Sequence, residues 1–225
     1  MSAAASIVRD FGREVVRIGR VFLTQPLRWR AREWLVAVLW FVAMFAAFVE
    51  KQPLQARLGG DGRGAFAAVS YVVWRVGDGW TVALLALGCA LVGGAREHAR
   101  VRSLGITLGA AGVWCFALTK LGQFVLAEAR PVNGGVMHWF ALGGHGVSGH
   151  ASAAALLVGP VFASTRGKPR AFRIAVASAL IAWALLIGAT RIWTNNHYMW
   201  NVLAGYVVGA CPGCAATCGP VGADE

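Results

Sequence analysis

Acidic residues are scarce in this chain of 225 residues: Asp and Glu together number 10, against 21 Lys and Arg. Charged residues of both signs reach only 14%, where an ordinary soluble domain carries roughly 25%. That shortage argues against a soluble enzyme of this length, and the lack of a carboxylate cluster argues against a carboxylate-held metal. The 5 cysteines give no framework either. Cys89 and Cys115 fall inside apolar blocks, and Cys211, Cys214 and Cys218 lie in a C-x2-C-x3-C run with no histidine beside it, so no metal site is expected there. No internal repeat and no low-complexity linker divides the sequence, which reads as a single domain over 1–225. No cleavable signal is expected, because the first apolar block comes late and runs straight on.

What the chain has in abundance is apolar sequence: 57% of residues and a mean hydropathy of +0.59. Uncharged blocks separate Glu33 from Glu50, Asp78 from Arg96, Arg102 from Lys120 and Arg173 from Arg191, and two longer ones follow Arg130 and Arg191. A helix needs about 20 mostly apolar residues to cross the hydrocarbon. Six such segments are placed near 32–50, 79–95, 103–126, 150–165, 173–191 and 198–215. The fold class expected is all-α: a polytopic membrane protein built as a six-helix bundle. The stretch 131–149 is uncharged but rich in glycine, and is read as a structured loop. Pro212 and Gly213 are expected to fray or end the last helix, leaving 212–225 as a tail.

Basic residues in short connections set orientation. Arg9, Arg13, Arg17, Arg20, Arg28, Arg30 and Arg32 precede the first span, Arg96, Arg100 and Arg102 separate the second and third, and Arg166, Lys168, Arg170 and Arg173 separate the fourth and fifth. With six spans these fall on one side, so both termini are expected to be cytoplasmic, with 51–78, 127–149 and 192–197 as loops on the opposite face. This bias accounts for the +11 charge without nucleic acid. Ile7, Phe11, Val15, Ile18 and Phe22 recur at helical spacing opposite Arg9, Arg13, Arg17 and Arg20, the pattern of an interfacial helix on anionic lipid within a basic segment 1–30. Its alternative is a set of arginines that only fix topology. Trp34, Trp80, Trp139, Trp193 and Trp200 near span ends suit an aromatic belt.

The informative residues are the polar ones at the ends of spans three to six, since ionisable groups near membrane depth are costly and mark function by default. Lys120 lies inside the third span, Arg130-Pro131 follow it, Ser148-Gly149-His150 lead into the fourth, Arg191 ends the fifth, and His197 with Asn201 begins the sixth. All but Lys120 fall on one expected side. Backbone N–H groups at a helix start form an anion site, glycine at 149 allows close approach, and Arg130 and Arg191 offer planar forks that match phosphate oxygens. Two histidines then supply the chemistry: one neutral imidazole attacks phosphorus and the other protonates the leaving oxygen.

The segment Lys120–Pro131, the tetrad Val147-Ser148-Gly149-His150 and the run Thr190-Arg191…His197…Asn201 resemble the three motifs of the type 2 phosphatidic acid phosphatase superfamily, K-x6-R-P, P-S-G-H and S-R-x5-H-x3-D. The resemblance implies that His197 is the phosphorylated nucleophile and His150 the general acid. It makes Arg130, Arg191, Ser148 and Gly149 the phosphate cradle, and gives position 201 the role of orienting His197. Three departures stand out. Gln123 occupies the lysine position, with Lys120 one helical turn deeper on nearly the same face, either snorkelling to the phosphate or serving as an anchor. Asn201 replaces the aspartate and brings no negative charge to an imidazolium. Installing the carboxylate by Asn201→Asp is therefore expected to raise turnover. Val147 and Thr190 replace Pro and Ser. His138 and His145 share the loop and are read as pocket-lining rather than metal-binding.

The expectation is a metal-independent, cofactor-free lipid phosphatase, cleaving a phosphomonoester or pyrophosphate at the outer face of a bacterial cytoplasmic membrane. Its partners would be the bilayer and a lipid phosphate or polyprenyl pyrophosphate. Two other readings stay open: a weak or inactive member that binds a lipid phosphate, and a transport or assembly subunit.

Overall fold

Runs of Leu, Ala, Val and Phe free of charge have one stable form in hydrocarbon, the helix, because only it satisfies every backbone group within the segment. The computed structural model, which describes residues 3–60 and 64–218, is accordingly dominated by helices: α1 (Ala3–Thr24), α2 (Ala31–Val49), α3 (Lys51–Leu58), α4 (Ala65–Val76), α5 (Gly79–Ala95), α6 (Ala99–Val125), α7 (Gly149–Ser164), α8 (Arg170–Trp193) and α9 (Met199–Thr217). Between α6 and α7 lies a small hairpin, β1 (Leu126–Glu128) antiparallel to β2 (Met137–Trp139), with Leu126 opposite Trp139 and Glu128 opposite Met137.

Four of these helices, α2, α6, α8 and α9, are long and apolar enough to cross a membrane, and α4 with α5 passes as a fifth element bent by 45°. α7 has 16 residues, short of the about 20 that a full span needs. All six expected segments are helical, whereas the loop expected at 51–78 folds as α3 and α4. Arg75 lies just before the Gly77–Gly79 break and Asp78 within it, and those charges hide an apolar helix whose Tyr71, Val72 and Val76 are exposed. α2 is exposed nearly all round, with Val36, Leu39, Phe41 and Val42 open and only Ala47 buried. Such a surface belongs against lipid tails, and the chain is an integral membrane protein.

The core is built on α6, α7 and α9. A Cβ at Gly209 would lie 2.0 Å from the Ser152 carbonyl, one at Gly205 2.6 Å from the Ser148 carbonyl, and one at Gly159 2.3 Å from the Gly213 carbonyl. Glycine therefore lets α7 and α9 meet backbone to backbone, the small-residue packing that serves helices in lipid. The same contact corrects the expectation at Pro212. Here α9 runs through it to Thr217, because Pro212 and Gly213 are buried along the seam and α7 holds the segment in place. Of the tail expected over 212–225, residues 219–225 lie outside the described set.

α1 also departs from the expected surface helix. Its apolar stripe is the one read from spacing, but Ile18 and Val21 are buried in the core with Ala110, Ala111, Leu156 and Ala215, and Phe11, Val15 and Phe22 pack around them. Arg17 turns inward, pairs with Glu14 at 2.6 Å and donates to the Ala216 and Cys218 carbonyls, satisfying the open end of α9. Of the tryptophans expected in an aromatic belt, Trp34, Trp80 and Trp139 are exposed, Trp193 packs edge-on against Phe66, and Trp200 is buried edge-on against Phe48.

Candidate functional site

α6 and α8 end, and α7 and α9 begin, around one cavity of about 940 Å³. Lys120, Arg130, Gly149, His150, Arg191 and His197 all line it, so six of the eight residues expected from sequence share one space. Its other wall is apolar, with Ala86 and Leu87 of α5, Val113 and Phe116 of α6, and Ile7 and Phe11 of α1.

The turn between α8 and α9 explains the R-x5-H spacing. Asn195 takes a left-handed conformation, φ 55°, which Asn tolerates better than most residues, and the chain doubles back so that the amides of Asn196 and His197 both donate to the Arg191 carbonyl at 3.1 Å. Arg191 and His197 are thereby locked together, 6% and 4% exposed. The turn is clamped from α3: Gln55 donates to Asn195 Oδ1 at 2.7 Å and Gln52 to the Tyr198 hydroxyl at 3.1 Å. Arg130 joins from the end of the hairpin, its Nη1 donating to Asn196 Oδ1 at 3.0 Å.

Several buried polar atoms here have no hydrogen-bond partner among the described residues: Nε of Arg130, Nε of Arg191, Nε2 of His150 and Nδ1 of His197. Unsatisfied buried donors are uncommon and call for a ligand or water. Gly149 and His150 open α7, where first-turn N–H groups and the positive end of the helix dipole gather. A Cβ at Gly149 would meet only Thr119 Cγ2, at 3.7 Å, so the room beside it is cavity rather than protein. Burial first, then the positive charge of Arg191 with His145 and Arg130 beyond it, holds His197 well below the ordinary histidine range. Its imidazole is neutral at pH 7, the form a nucleophile requires.

Two expected residues stand outside the cavity lining. Ser148 is fully buried and its hydroxyl caps α7, accepting from the Ala151 amide at 3.4 Å. Asn201 makes no hydrogen bond to His197. Its Oδ1 accepts from the Tyr198 amide at 2.7 Å, and its Nδ2 donates to Glu128 Oε2 and to the Gly146 carbonyl, each at 3.0 Å. The reason is local: three residues after Tyr198, its side chain falls into the capping position of α9. The Lys120 ammonium lies 3.3 Å from Gln123 Oε1, while Gln123 donates to the Val147 carbonyl at 2.9 Å. The glutamine at the family's lysine position thus ties α6 to the loop before α7, and Lys120 reaches the cavity past it.

Asp78, Asn196 and Glu128 occupy no defining position of the motifs in the sequence. Asp78 lines the cavity from the α4–α5 break. His145, read as pocket-lining, is there, its ring centroid 6.3 Å from that of His197. Burial and the neighbouring Arg130 lower its proton affinity too. Only the scarcity of acidic residues in loops could have singled out Asp78 and Glu128.

Fold and site together define a helical membrane protein with a cluster of arginines, lysine and histidines opening on a largely apolar cavity. A sequence model of the PAP2 superfamily matches residues 104–221, just over half of the chain, and the chain belongs to that superfamily. No curated protein and no solved structure matches it.

Proposed function

We propose that this chain is a membrane-bound phosphatase that hydrolyses a lipid phosphomonoester or pyrophosphate without a metal, through a phosphohistidine on His197. The observation that carries the reading is the convergence of two histidines and two arginines, each with an unpartnered buried nitrogen, on one end of an apolar cavity. Arg130 and Arg191 take the nonbridging phosphate oxygens with the Gly149 and His150 end of α7, and Lys120 adds charge from the rim. Neutral His197 attacks phosphorus, forming an N–P bond as the P–O bond to the leaving group breaks, and His150 gives that oxygen its proton. Water, deprotonated by His150, then displaces the imidazole and releases phosphate. Positioning and fixed positive charge stabilise the transferring group. Ser148 and Asn201 act as the supports of this arrangement, capping α7 and α9. The apolar wall suits the hydrocarbon part of the substrate.

Counting α7 as a short fourth span and α4–α5 as one bent unit gives six spans and termini on one side, and the bias of Lys and Arg supports the cytoplasm as that side and the outer face of a bacterial membrane for the site. A lipid-phosphate-binding member without turnover is the second reading, favoured by the missing contact between Asn201 and His197.

The decisive experiment is phosphate release by purified protein in detergent with EDTA, using a polyprenyl pyrophosphate and phosphatidic acid, beside His197→Ala. Release that persists in EDTA and falls by about 10³-fold or more in the variant is expected for loss of a covalent nucleophile. Release that needs added metal, or survives the substitution, overturns the mechanism; no release by folded wild-type protein turns the choice to the binding role.

A further inference from the structure

Glu128 is the only carboxylate buried among the described residues, 1% exposed. An ion so placed is stable only when paired, and both of its oxygens are taken. Oε1 accepts from Lys51 Nζ at 2.6 Å, and Oε2 from Asn201 Nδ2 at 3.0 Å. Its backbone carbonyl also accepts from the His145 amide at 2.8 Å. One residue of the hairpin thus joins α3, α9 and the loop that carries His145.

Asn201 is held in one sense only. Rotating its amide by half a turn would set Nδ2 against the Tyr198 N–H, and Oδ1 against Glu128 Oε2 and the Gly146 carbonyl, three repulsive contacts in a residue 2% exposed. The Tyr198 amide that it fixes follows directly on His197, whose own amide is bound to Arg191. Lys51 lies at the far oxygen with its side chain 19% exposed, so the ion pair is a dipole whose negative end faces Asn201. The cavity beyond it carries Lys120, Arg130, Arg191, His145, His150 and His197, with Asp78 as the one carboxylate among its described lining residues.

We infer that Glu128 is a positioning residue of the phosphatase site: acting through Asn201, it sets the stance of His197 and supplies the negative charge that position 201 itself lacks. This rests on the phosphatase reading. It makes positions 128 and 201 reciprocal, so that one carboxylate serves the pair and two do not. A carboxylate introduced at 201 would stand about 3 Å from Glu128 Oε2, a like-charge contact that interior dielectric strengthens. The inference reverses the expectation drawn from the motif alone, that Asn201→Asp by itself raises turnover.

The test is a carboxylate exchange. Wild type, Glu128→Gln, Asn201→Asp and the double variant are compared for kcat, KM and melting temperature in detergent, with kcat expressed per folded molecule. Glu128→Gln keeps the size of the side chain and an acceptor for Lys51. In the double variant the new amide at 128 donates to the new carboxylate at 201 while its oxygen accepts from Lys51, which restores a single charge and the 128–201 hydrogen bond; the Gly146 carbonyl loses its donor in Asn201→Asp and in the double variant alike, so the rescue is read between those two. Each single variant is expected to lose about tenfold or more in kcat with KM little changed, and the double variant to recover to within about threefold of wild type, the coupling of residues that act as a unit. A double variant no faster than the slower single one overturns the inference. So does a recovery of melting temperature without recovery of kcat, which is the mark of a purely structural pair. If wild type itself releases no phosphate, the phosphatase reading falls and this inference falls with it. Active wild type with an unrescued exchange removes this inference alone.

Discussion

Burying a histidine in its neutral form ties stability to pH, and His197 is such a residue. Its folded proton affinity is depressed below the ordinary 6.5, by burial first and then by the cations around it. The unfolded chain therefore binds the proton more readily than the folded one. Stability from this group is intact above about pH 6.5 and drains away as pH falls through that value toward the lower folded one. Melting temperature followed from about pH 8 to about pH 5 should drop for wild type and drop less for His197→Gln. Equal slopes would mean that His197 titrates as an exposed histidine. Residue identities were the most legible part of the site, because Lys, Arg and His near membrane depth announce themselves against an apolar background. Partners were not legible: Asn201 and Glu128 are far apart in sequence, and only folding shows that the amide faces a carboxylate and not the imidazole.

At the scale of elements, His150 sits in the first turn of α7 and His197 just before α9, and the spacing of the two helices is set by glycines rather than by loops. Gly209→Ala places a methyl group 2.0 Å from the Ser152 carbonyl, which the seam can accept only by parting. The expected outcome is a loss of about 1–3 kcal/mol in stability, read as a lower melting temperature in detergent, with activity lost in proportion as the helix starts move apart. Gly88→Ala, where a Cβ meets nothing within 4 Å, is the control and should leave both unchanged. The six apolar segments were readable from charge-free length. α4 and the hairpin were not, the first because Arg75 and Asp78 border it, the second because three-residue strands carry no periodic signal. Pro212 misled for a physical reason. Proline breaks a helix that stands alone, whereas a helix held along its length by a neighbour continues through it.

For the whole molecule, the arrangement of basic residues makes a topological prediction. In a background without the native cysteines, a single cysteine introduced at Lys168, between α7 and α8, should be shielded from a membrane-impermeant maleimide in intact cells. One introduced at Val136, in the hairpin, should be labelled, as the bias of Lys and Arg toward the cytoplasm requires. Labelling at both, or at Lys168 alone, would contradict the six-span arrangement. Arginine counts give the orientation that this labelling tests, whereas the place of α1 was not readable, since an amphipathic stripe looks the same whether its cover is lipid or protein. That ambiguity has a counterpart in time. Arg17 finds its partners Ala216 and Cys218 across 199 and 201 residues of chain, so α1 is translated long before the helix it fastens exists. Until α6 and then α9 are made, its apolar stripe lacks its protein cover, and the same pattern that seals the finished bundle suits the bilayer surface and gives the nascent chain a berth while the rest is made.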